Sequence, residues 1–226
     1  MKRVLVILFL FSTSCLAGQE KTTIEIPEGS AGMIGYGSLM SLPSMEQSLG
    51  RKYEGPTYQV HLAGHERAWT LLRPFNDPQA NPAVNVRYDV YYFQDDVRIP
   101  IDGAVELNIY PRKKSKINAV LYLIPDKDLL KFDKRERAYK RVDVTDKIEE
   151  YRFKGGKVHV YVGLSDRSKK PAPDPRRYIL FKEYLDQVTS ACDRIGKTFR
   201  AEFDESTRAI TFQVVAFEKV VWEKVK

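Results

Sequence analysis

Residues 31–39 read AGMIGYGSL, an apolar run that ends in a glycine-rich turn. The short run from Ala31 to Tyr36 is typical of a buried strand. The glycines of Gly35–Leu39 break that strand, and Leu42-Pro43 then favours a short helix that Gly50 can end. The segment therefore predicts a strand, a tight turn and a helix in immediate succession.

Most of the chain beyond this segment has the pattern of strands. We expect Tyr58–Leu72 to form a strand pair bent at Gly64, because its side chains alternate in character on both sides of that glycine. Further extended segments are predicted at Ile101–Tyr110 and Lys116–Ile124, which Pro111 separates, and at Val142–Val144, Lys157–Val162 and Ala209–Phe217.

Two helices interrupt the strands. Pro125-Asp126 starts the clearer one, from Lys127 to about Lys140, and the second is predicted from Tyr178 to Arg194. Pro74–Pro82 and Pro171–Pro175 are predicted surface loops. Strands that outnumber helices in this order predict an α+β domain, with a curled mixed β-sheet or small barrel and flanking helices.

The glycine-rich turn is the first candidate site. Glycines allow successive backbone N–H groups to point into one concavity, and the following helix adds the positive end of its dipole. Such a turn favours a carboxylate or phosphate ligand. The alternative is a plain tight turn with no ligand.

The second candidate site is residues 133–139, DKRERAY. Asp133, Glu136 and Tyr139 are three residues apart and would share one face of the predicted helix. The alternative is that Glu136 pairs with Lys140 on a solvent-exposed surface.

Taken together, the two segments resemble the gamma-glutamylcyclotransferase superfamily. The family's YGS-type turn is matched by Tyr36–Leu39, and its D-x-x-E-x-x-Y segment with a following R-V-x-V is matched by Asp133, Glu136, Tyr139 and Arg141–Val144. Weaker similarities lie at Gly64–Trp69, Asn108–Pro111, Val120–Leu123 and Pro175–Tyr178, the last resembling a proline and tyrosine that close the pocket. The resemblance covers roughly residues 33–184.

The resemblance implies a gamma-glutamylcyclotransferase-like fold and an intramolecular aminolysis. The free α-amine of a γ-glutamyl group attacks its own γ-carbonyl, which gives 5-oxoproline and a released amine or peptide. Glu136 is the implied general acid and base. The implied substrate-binding residues are Tyr36, Gly37, Ser38, Leu39 and Tyr139. No metal and no cofactor is implied, since the tethered nucleophile already has a high effective molarity.

Two departures from the family pattern bear on these expectations. Ala119 stands where the family often has glycine, which affects packing. The segment from Pro74 to Pro100 is longer than a minimal member needs, and we expect it to remodel the pocket mouth and so to affect the choice of substrate.

Two other functions compete with this interpretation. A non-catalytic module that binds a γ-glutamyl ligand or a partner would keep the turn without the reaction. A metal hydrolase could use His61 and His65, which are four residues apart, but Gly64 and the alternating pattern indicate strands there. His159 is the only other histidine in the sequence, and no third ligand is evident.

Composition indicates a soluble globular chain of 226 residues, with 30% charged and 43% hydrophobic residues. The net charge is +7, but basic residues are interspersed with acidic ones, so we expect no nucleic-acid partner.

Cys192 has no partner once Cys15 is removed or lipidated, and we expect it to be a buried structural thiol.

The first eighteen residues have the order of an export signal. Met1-Lys2-Arg3 is basic, Val4–Phe11 is apolar but shorter than a membrane span, and Ser12–Gly18 is mostly small. Cleavage after Ala17 or Gly18 leaves residues 19–226 as a single domain, whereas lipidation of Cys15 is the alternative and the only expected route to a membrane.

The signal and the resemblance together predict an exported bacterial member of the superfamily, periplasmic or secreted. Its expected partner is a small γ-glutamyl substrate. Glutathione is chiefly cytosolic, so we expect an exported enzyme to meet leaked or imported glutathione, γ-glutamyl peptides, or γ-linked cell-wall fragments whose glutamate amine is free.

Overall fold

The computed structural model describes residues 21–76, 86–164 and 175–225. The predicted signal segment and most of the two predicted loops, at Pro74–Pro82 and Pro171–Pro175, lie outside the described residues. None of the helices in the described part is long and apolar enough to span a membrane.

The described part contains four α-helices and twelve strands. The helices are α1 (Leu42–Leu49), α2 (Asp126–Arg135), α3 (Lys182–Ile195) and α4 (Lys197–Ser206). The strands are β1 (Thr22–Glu25), β2 (Ser30–Gly35), β3 (Thr57–Pro74), β4 (Tyr88–Gln94), β5 (Val97–Pro100), β6 (Gly103–Pro125), β7 (Tyr139–Asp143), β8 (Tyr151–Lys154), β9 (Val158–Gly163), β10 (Tyr178–Phe181), β11 (Gln213–Val215) and β12 (Val220–Lys224).

The main sheet has the strand order β11-β10-β6-β2-β9-β7, and β3 pairs with β6 outside that path. Strand β2 lies between antiparallel β6 and parallel β9, and five of its six residues are buried. Its apolar sequence is therefore that of a strand covered on both faces. The predicted α+β fold with a curled mixed sheet is confirmed, and the pairing of the described strands does not close it into a barrel.

Strands β3 and β6 form one long antiparallel ladder, where the sequence predicted shorter strands. The ladder continues past Gly64, which has φ +73° and lies at a register shift between Ala63 and His65. Pro111 faces His65 at this irregularity, and the residues after it are exposed. A bulge tolerates proline because no ladder hydrogen bond is required there, so Pro111 does not end the strand.

The long segment after β3 forms a small sheet of its own. Strands β4 and β5 make a hairpin through Asp95 and Asp96, both with positive φ, and β12 pairs with β4 on the other side. This sheet packs through Val90 and Tyr92 onto Ile179 of β10. The sequence did not predict these strands. Strand β12 pairs with a partner about 130 residues earlier, and the local hairpin of β4 and β5 was missed.

Two boundaries near the C-terminus also differ from prediction. Residues 178–181 form the buried strand β10 rather than the first turn of a helix, because they pair with β6 and β11. The predicted closing strand Ala209–Phe217 is reduced to three residues, Gln213–Val215.

Cys192 on α3 is fully buried, as predicted for a structural thiol, and burial raises its pKa to about 12.

Candidate active site

The glycine-rich turn follows β2 as a short 3-10 helix, Ser38–Met40, before α1 begins. A Cβ atom on Gly35 would lie 2.5 Å from the carbonyl oxygen of Leu39, so only glycine allows the chain to fold back this closely. Within the described residues, no acceptor pairs with the backbone N–H groups of Gly37, Ser38 or Leu39. These three donors are therefore free to bind an anion.

Glu136 is not on the helix that the sequence predicted for it. Helix α2 ends at Arg135, and Glu136 is the residue that caps its C-terminus, with φ −90° and ψ 40°. The N–H of Tyr139 then bonds to the carbonyl of Glu136 at 2.8 Å, which turns the chain into β7. The prediction that Asp133, Glu136 and Tyr139 share one helical face is wrong, because pairing of β7 with β9 ends the helix early.

The turn and the end of α2 nevertheless meet at one cavity of about 30 Å³. All six site residues that the sequence singled out line this cavity; they are Tyr36, Gly37, Ser38, Leu39, Glu136 and Tyr139. Their chemical roles stay predictions. The other lining residues are Ile34, Leu107, Tyr161 and Tyr184.

The Glu136 carboxyl has the environment of a proton-transfer group. Its side chain is only 13% exposed. Burial raises its pKa to about 7, and the nearby Glu106 carboxylate acts in the same direction. The guanidinium groups of Arg135 and Arg73 oppose this increase, and Nε of Arg135 lies 3.2 Å from Oε1 of Glu136. The alternative of a solvent-exposed pair between Glu136 and Lys140 is wrong.

Arg135 joins Glu136 to the glycine-rich turn. Its Nη2 donates to Ser38 Oγ and to Ser44 Oγ, both at 3.0 Å, and its Nη1 donates to the Ser44 carbonyl at 3.1 Å and to Ser48 Oγ. These bonds fix the guanidinium against α1 and the turn. The charged group next to the Glu136 carboxylate is therefore a guanidinium whose position is fixed by hydrogen bonds to three serines.

Two tyrosine hydroxyls of the cavity, those of Tyr36 and Tyr139, already donate to the protein. Tyr36 donates to the carbonyl of Tyr161, and Tyr139 donates to the carbonyl of Leu107, each at 2.8 Å. Burial raises the pKa of both tyrosines well above the usual value, so the hydroxyls are neutral. What they can offer a ligand is the oxygen lone pairs, which accept hydrogen bonds.

A buried arginine, Arg67, is hydrogen-bonded to the backbone of the glycine-rich turn. Arg67 of β3 is fully buried, and its Nη1 donates to the carbonyls of Tyr36 at 3.1 Å and Asn118 at 2.9 Å. Its other N–H groups donate to Asn118 Oδ1 at 2.7 Å and to the hydroxyl oxygens of Ser206 and Thr207. Burial lowers its pKa to about 9. The GHERAW similarity in the sequence thus includes a residue that fixes the backbone of the turn.

Sequence reasoning missed several parts of the cavity. Tyr184, not Tyr178, lines it, and Tyr178 is buried in β10 instead. Glu106, which does not line the cavity but raises the pKa of Glu136, was also missed, although a lone acidic residue within an apolar strand is a signal for it. The expectation that Pro74–Pro100 remodels the mouth is not met by the described residues of that segment, none of which lines the cavity.

The three histidines do not assemble into the hydrolase site that competed with this interpretation. His65 Nδ1 bonds to the carbonyl of Ala63 at 3.0 Å, two residues away on its own strand. Among the described residues, neither His65 nor His159 belongs to a group of three side chains that could hold a metal ion.

Comparison with known proteins gives structural similarity at low identity. No family model and no curated protein matches the chain. A solved structure named gamma-glutamyl cyclotransferase is similar over 82% of this chain and 94% of its own length, at 10% identity and a TM-score of 0.49. An uncharacterized protein from Homo sapiens covers 83% and 95%, at 11% identity and a TM-score of 0.45.

A gamma-glutamyl cyclotransferase specific to glutathione, from yeast, is similar over 79% of this chain and 87% of its own length, at 12% identity and a TM-score of 0.39.

Proposed function

We propose that the protein is a cyclotransferase, which converts a γ-glutamyl compound with a free α-amine into 5-oxoproline and the released amine or peptide. The observation that carries the proposal is Glu136, a largely buried carboxyl with a pKa raised to about 7, which shares one cavity with the Tyr36–Leu39 turn. A carboxyl in that state can both take and return a proton near neutral pH.

The reaction needs little else from the protein. The α-nitrogen of the substrate forms a bond to its own γ-carbonyl carbon, and the bond from that carbon to the leaving nitrogen breaks. Glu136 accepts a proton from the α-ammonium and then donates it to the leaving nitrogen. The second proton that the attacking nitrogen loses on forming the lactam is taken up by the released amine, which leaves as an ammonium. Because the nucleophile and the carbonyl belong to one molecule, folding the substrate brings most of the acceleration.

The lining groups complement the substrate's charges. The free N–H groups of Gly37, Ser38 and Leu39 are donors for the α-carboxylate or for the oxygen of the reacting carbonyl. The lone pairs of Tyr36 and Tyr139 and the Glu136 carboxylate are acceptors for the α-ammonium. Donors and acceptors therefore line the same small cavity.

Binding requires the cavity to open. A volume of about 30 Å³ accommodates about two water molecules, less than a glutamyl group needs. Aromatic side chains such as Tyr184, which are only partly buried, are the groups we expect to move. A substrate enclosed in this way is shielded from water, which strengthens the electrostatic interactions around Glu136.

The chemistry also limits the substrate. Cyclisation needs a free α-amine, so an internal γ-glutamyl linkage with a blocked nitrogen cannot react. Glutathione, γ-glutamyl dipeptides and γ-glutamyl amines satisfy this requirement. We propose that the enzyme acts outside the cytoplasm, on the basis of the export signal in the sequence.

The direct test is release of 5-oxoproline from a panel of γ-glutamyl compounds by the purified protein. We expect turnover of at least one compound, and loss of activity by about 10²-fold or more in Glu136→Gln. Glu54→Gln, at an exposed position, is the matched control and should retain activity.

Ligand binding separates this proposal from the alternative of a non-catalytic module. Calorimetry should show that Glu136→Gln still binds a compound that the unmodified protein turns over. If the unmodified protein binds γ-glutamyl compounds and releases no 5-oxoproline from any of them, it is a binding module and the proposal is wrong.

A further inference from the structure

A second cluster of chemically active side chains lies away from the candidate active site, around His61 of β3. Ligand atoms of His61, Glu149 and Glu150 all lie within 4.8 Å of one another. A fourth residue, Glu202 of α4, approaches His61 from the other side, with Oε2 3.2 Å from Nε2. None of the four lines the cavity that contains Glu136.

Backbone contacts fix the three nearest residues. The N–H of Glu149 donates to the carbonyl of His61 at 3.1 Å, and the N–H of His61 donates to Glu150 Oε2 at 2.9 Å. An isolated bridge between Leu62 and Ile148 holds the two chain segments side by side. The imidazole and the two carboxylates therefore meet through the packing of the backbone and not by the chance orientation of long side chains.

The imidazole has a carboxylate at each ring nitrogen. Nδ1 lies 2.5 Å from Glu150 Oε1, and Nε2 faces Glu202. A neutral imidazole carries one N–H, so it can donate to only one of these two carboxylates. With the proton on Nε2, donated to Glu202, the lone pair of Nδ1 faces Glu150 Oε1. Either a proton or a metal cation can then bind between these two acceptors, and a metal cation requires the Glu150 side chain to move back from Nδ1.

This arrangement is that of a metal ligand with its supporting carboxylate. A histidine that binds a metal commonly donates its other ring N–H to a carboxylate, which fixes its tautomer. Glu202 is in position to do this for His61. The nearby Lys116 contacts one oxygen of Glu149 at 2.8 Å, and the second oxygen of that carboxylate is available as a ligand.

We propose that His61 Nδ1, Glu149 and Glu150 form a binding site for one divalent cation of the zinc type. An imidazole together with carboxylates suits Zn²⁺ and its neighbours in the transition series, whereas Ca²⁺ and Mg²⁺ favour oxygen ligands alone. Two ionised carboxylates also supply the negative charge that neutralises the ion.

The site is open to solvent and connects separate parts of the fold. A surface cavity of about 510 Å³ lies beside it, lined by His61, Lys116 and Glu202 among others. The ligands come from β3 and from the segment before β8, and the supporting Glu202 comes from α4. An ion that binds only the folded chain stabilises it, so Zn²⁺ should raise the melting temperature.

Titration of the untagged protein with Zn²⁺ by calorimetry is the test. We expect one Zn²⁺ per chain, with at least tenfold weaker binding in both His61→Ala and Glu150→Gln and no binding of Ca²⁺ or Mg²⁺ at the same concentrations. His159→Ala is the matched control, since His159 belongs to no such cluster among the described residues, and this variant should bind Zn²⁺ as the unmodified protein does.

Two further measurements keep the test decisive. Glu202→Ala should weaken Zn²⁺ binding by about tenfold, because it removes the support of the tautomer and no ligand. Zn²⁺ should raise the melting temperature of the unmodified protein and leave that of Glu150→Gln unchanged. This comparison remains informative if His61→Ala does not fold. Absence of binding at 1:1 stoichiometry, or equal binding by His61→Ala, Glu150→Gln and the unmodified protein, would overturn the proposal.

Discussion

Arg135 donates a hydrogen bond from Nη2 to Ser38 Oγ, at 3.0 Å. This single bond joins the end of α2 to the turn after β2, two segments about 97 residues apart in sequence. Nε of the same guanidinium lies 3.2 Å from Glu136 Oε1. The side chain of Arg135 thus contacts both the proposed proton-transfer group and the proposed anion-binding turn, and fixes their relative position.

The first prediction concerns that side chain. Arg135 lowers the pKa of Glu136, so removal of its charge in Arg135→Met should raise this pKa above about 7. If Glu136 acts as the base, the acidic limb of the pH profile of kcat/KM should move to higher pH. Arg137→Met is the control, because Arg137 is exposed and donates to the carbonyl of Lys134. A limb that does not move would show that Arg135 does not act on the reacting group.

The second prediction uses Glu106, which raises the pKa of Glu136. Glu106→Gln should therefore move the acidic limb of kcat/KM to lower pH, opposite in sign to Arg135→Met. Arg73→Met, which removes a charge that lowers the same pKa, should move the limb upward. The measurement is the pH profile of each variant, and shifts of the same sign in all three would contradict the electrostatic account.

The third prediction concerns stability. The pKa of Glu136 is about 7 in the folded chain, above its ordinary value of 4.5, so the folded state binds more protons between these values. Stability should consequently fall as pH rises from 5 to 8, by about 3 kcal/mol from this group alone. Urea unfolding at pH 5 and pH 8 measures it. Glu136→Gln should lack this component, and an equal pH dependence in both proteins would refute the prediction.

The fourth prediction concerns Arg67, whose guanidinium is buried without a carboxylate partner among the described residues. Arg67→Leu leaves the carbonyls of Tyr36 and Asn118 unsatisfied and should cost about 3 kcal/mol or more of unfolding free energy. Arg112→Leu is the control, since Arg112 is 55% exposed and should change stability by less than about 1 kcal/mol. Chemical denaturation compares the two, and equal losses would contradict the role given to Arg67.

The sequence predicted the parts of the fold whose signals are local. The apolar run of β2, the glycine-rich turn and the short helix ended by Gly50 were all predicted closely, because each depends on residues within about ten positions. The strands β4, β5 and β12 were missed, and β10 was predicted as helix. Strands β12 and β10 are stabilised by pairing with distant segments, and such pairing leaves no local pattern. Strand β5 pairs with β4 in a local hairpin, which was missed although it is a short-range feature.

The candidate site divides in the same way. The sequence by itself, through its resemblance to a known family, predicted which residues form the candidate site, since the two motifs contain Tyr36, Gly37, Ser38, Leu39, Glu136 and Tyr139. Only the tertiary structure decided that α2 ends at Arg135, that Glu136 is buried beside the turn, and that Tyr184 and Glu106 approach from elsewhere. The physical reason is that motifs fix side-chain types and local turns, whereas burial and the pKa shifts that depend on it arise from packing between segments far apart in the chain.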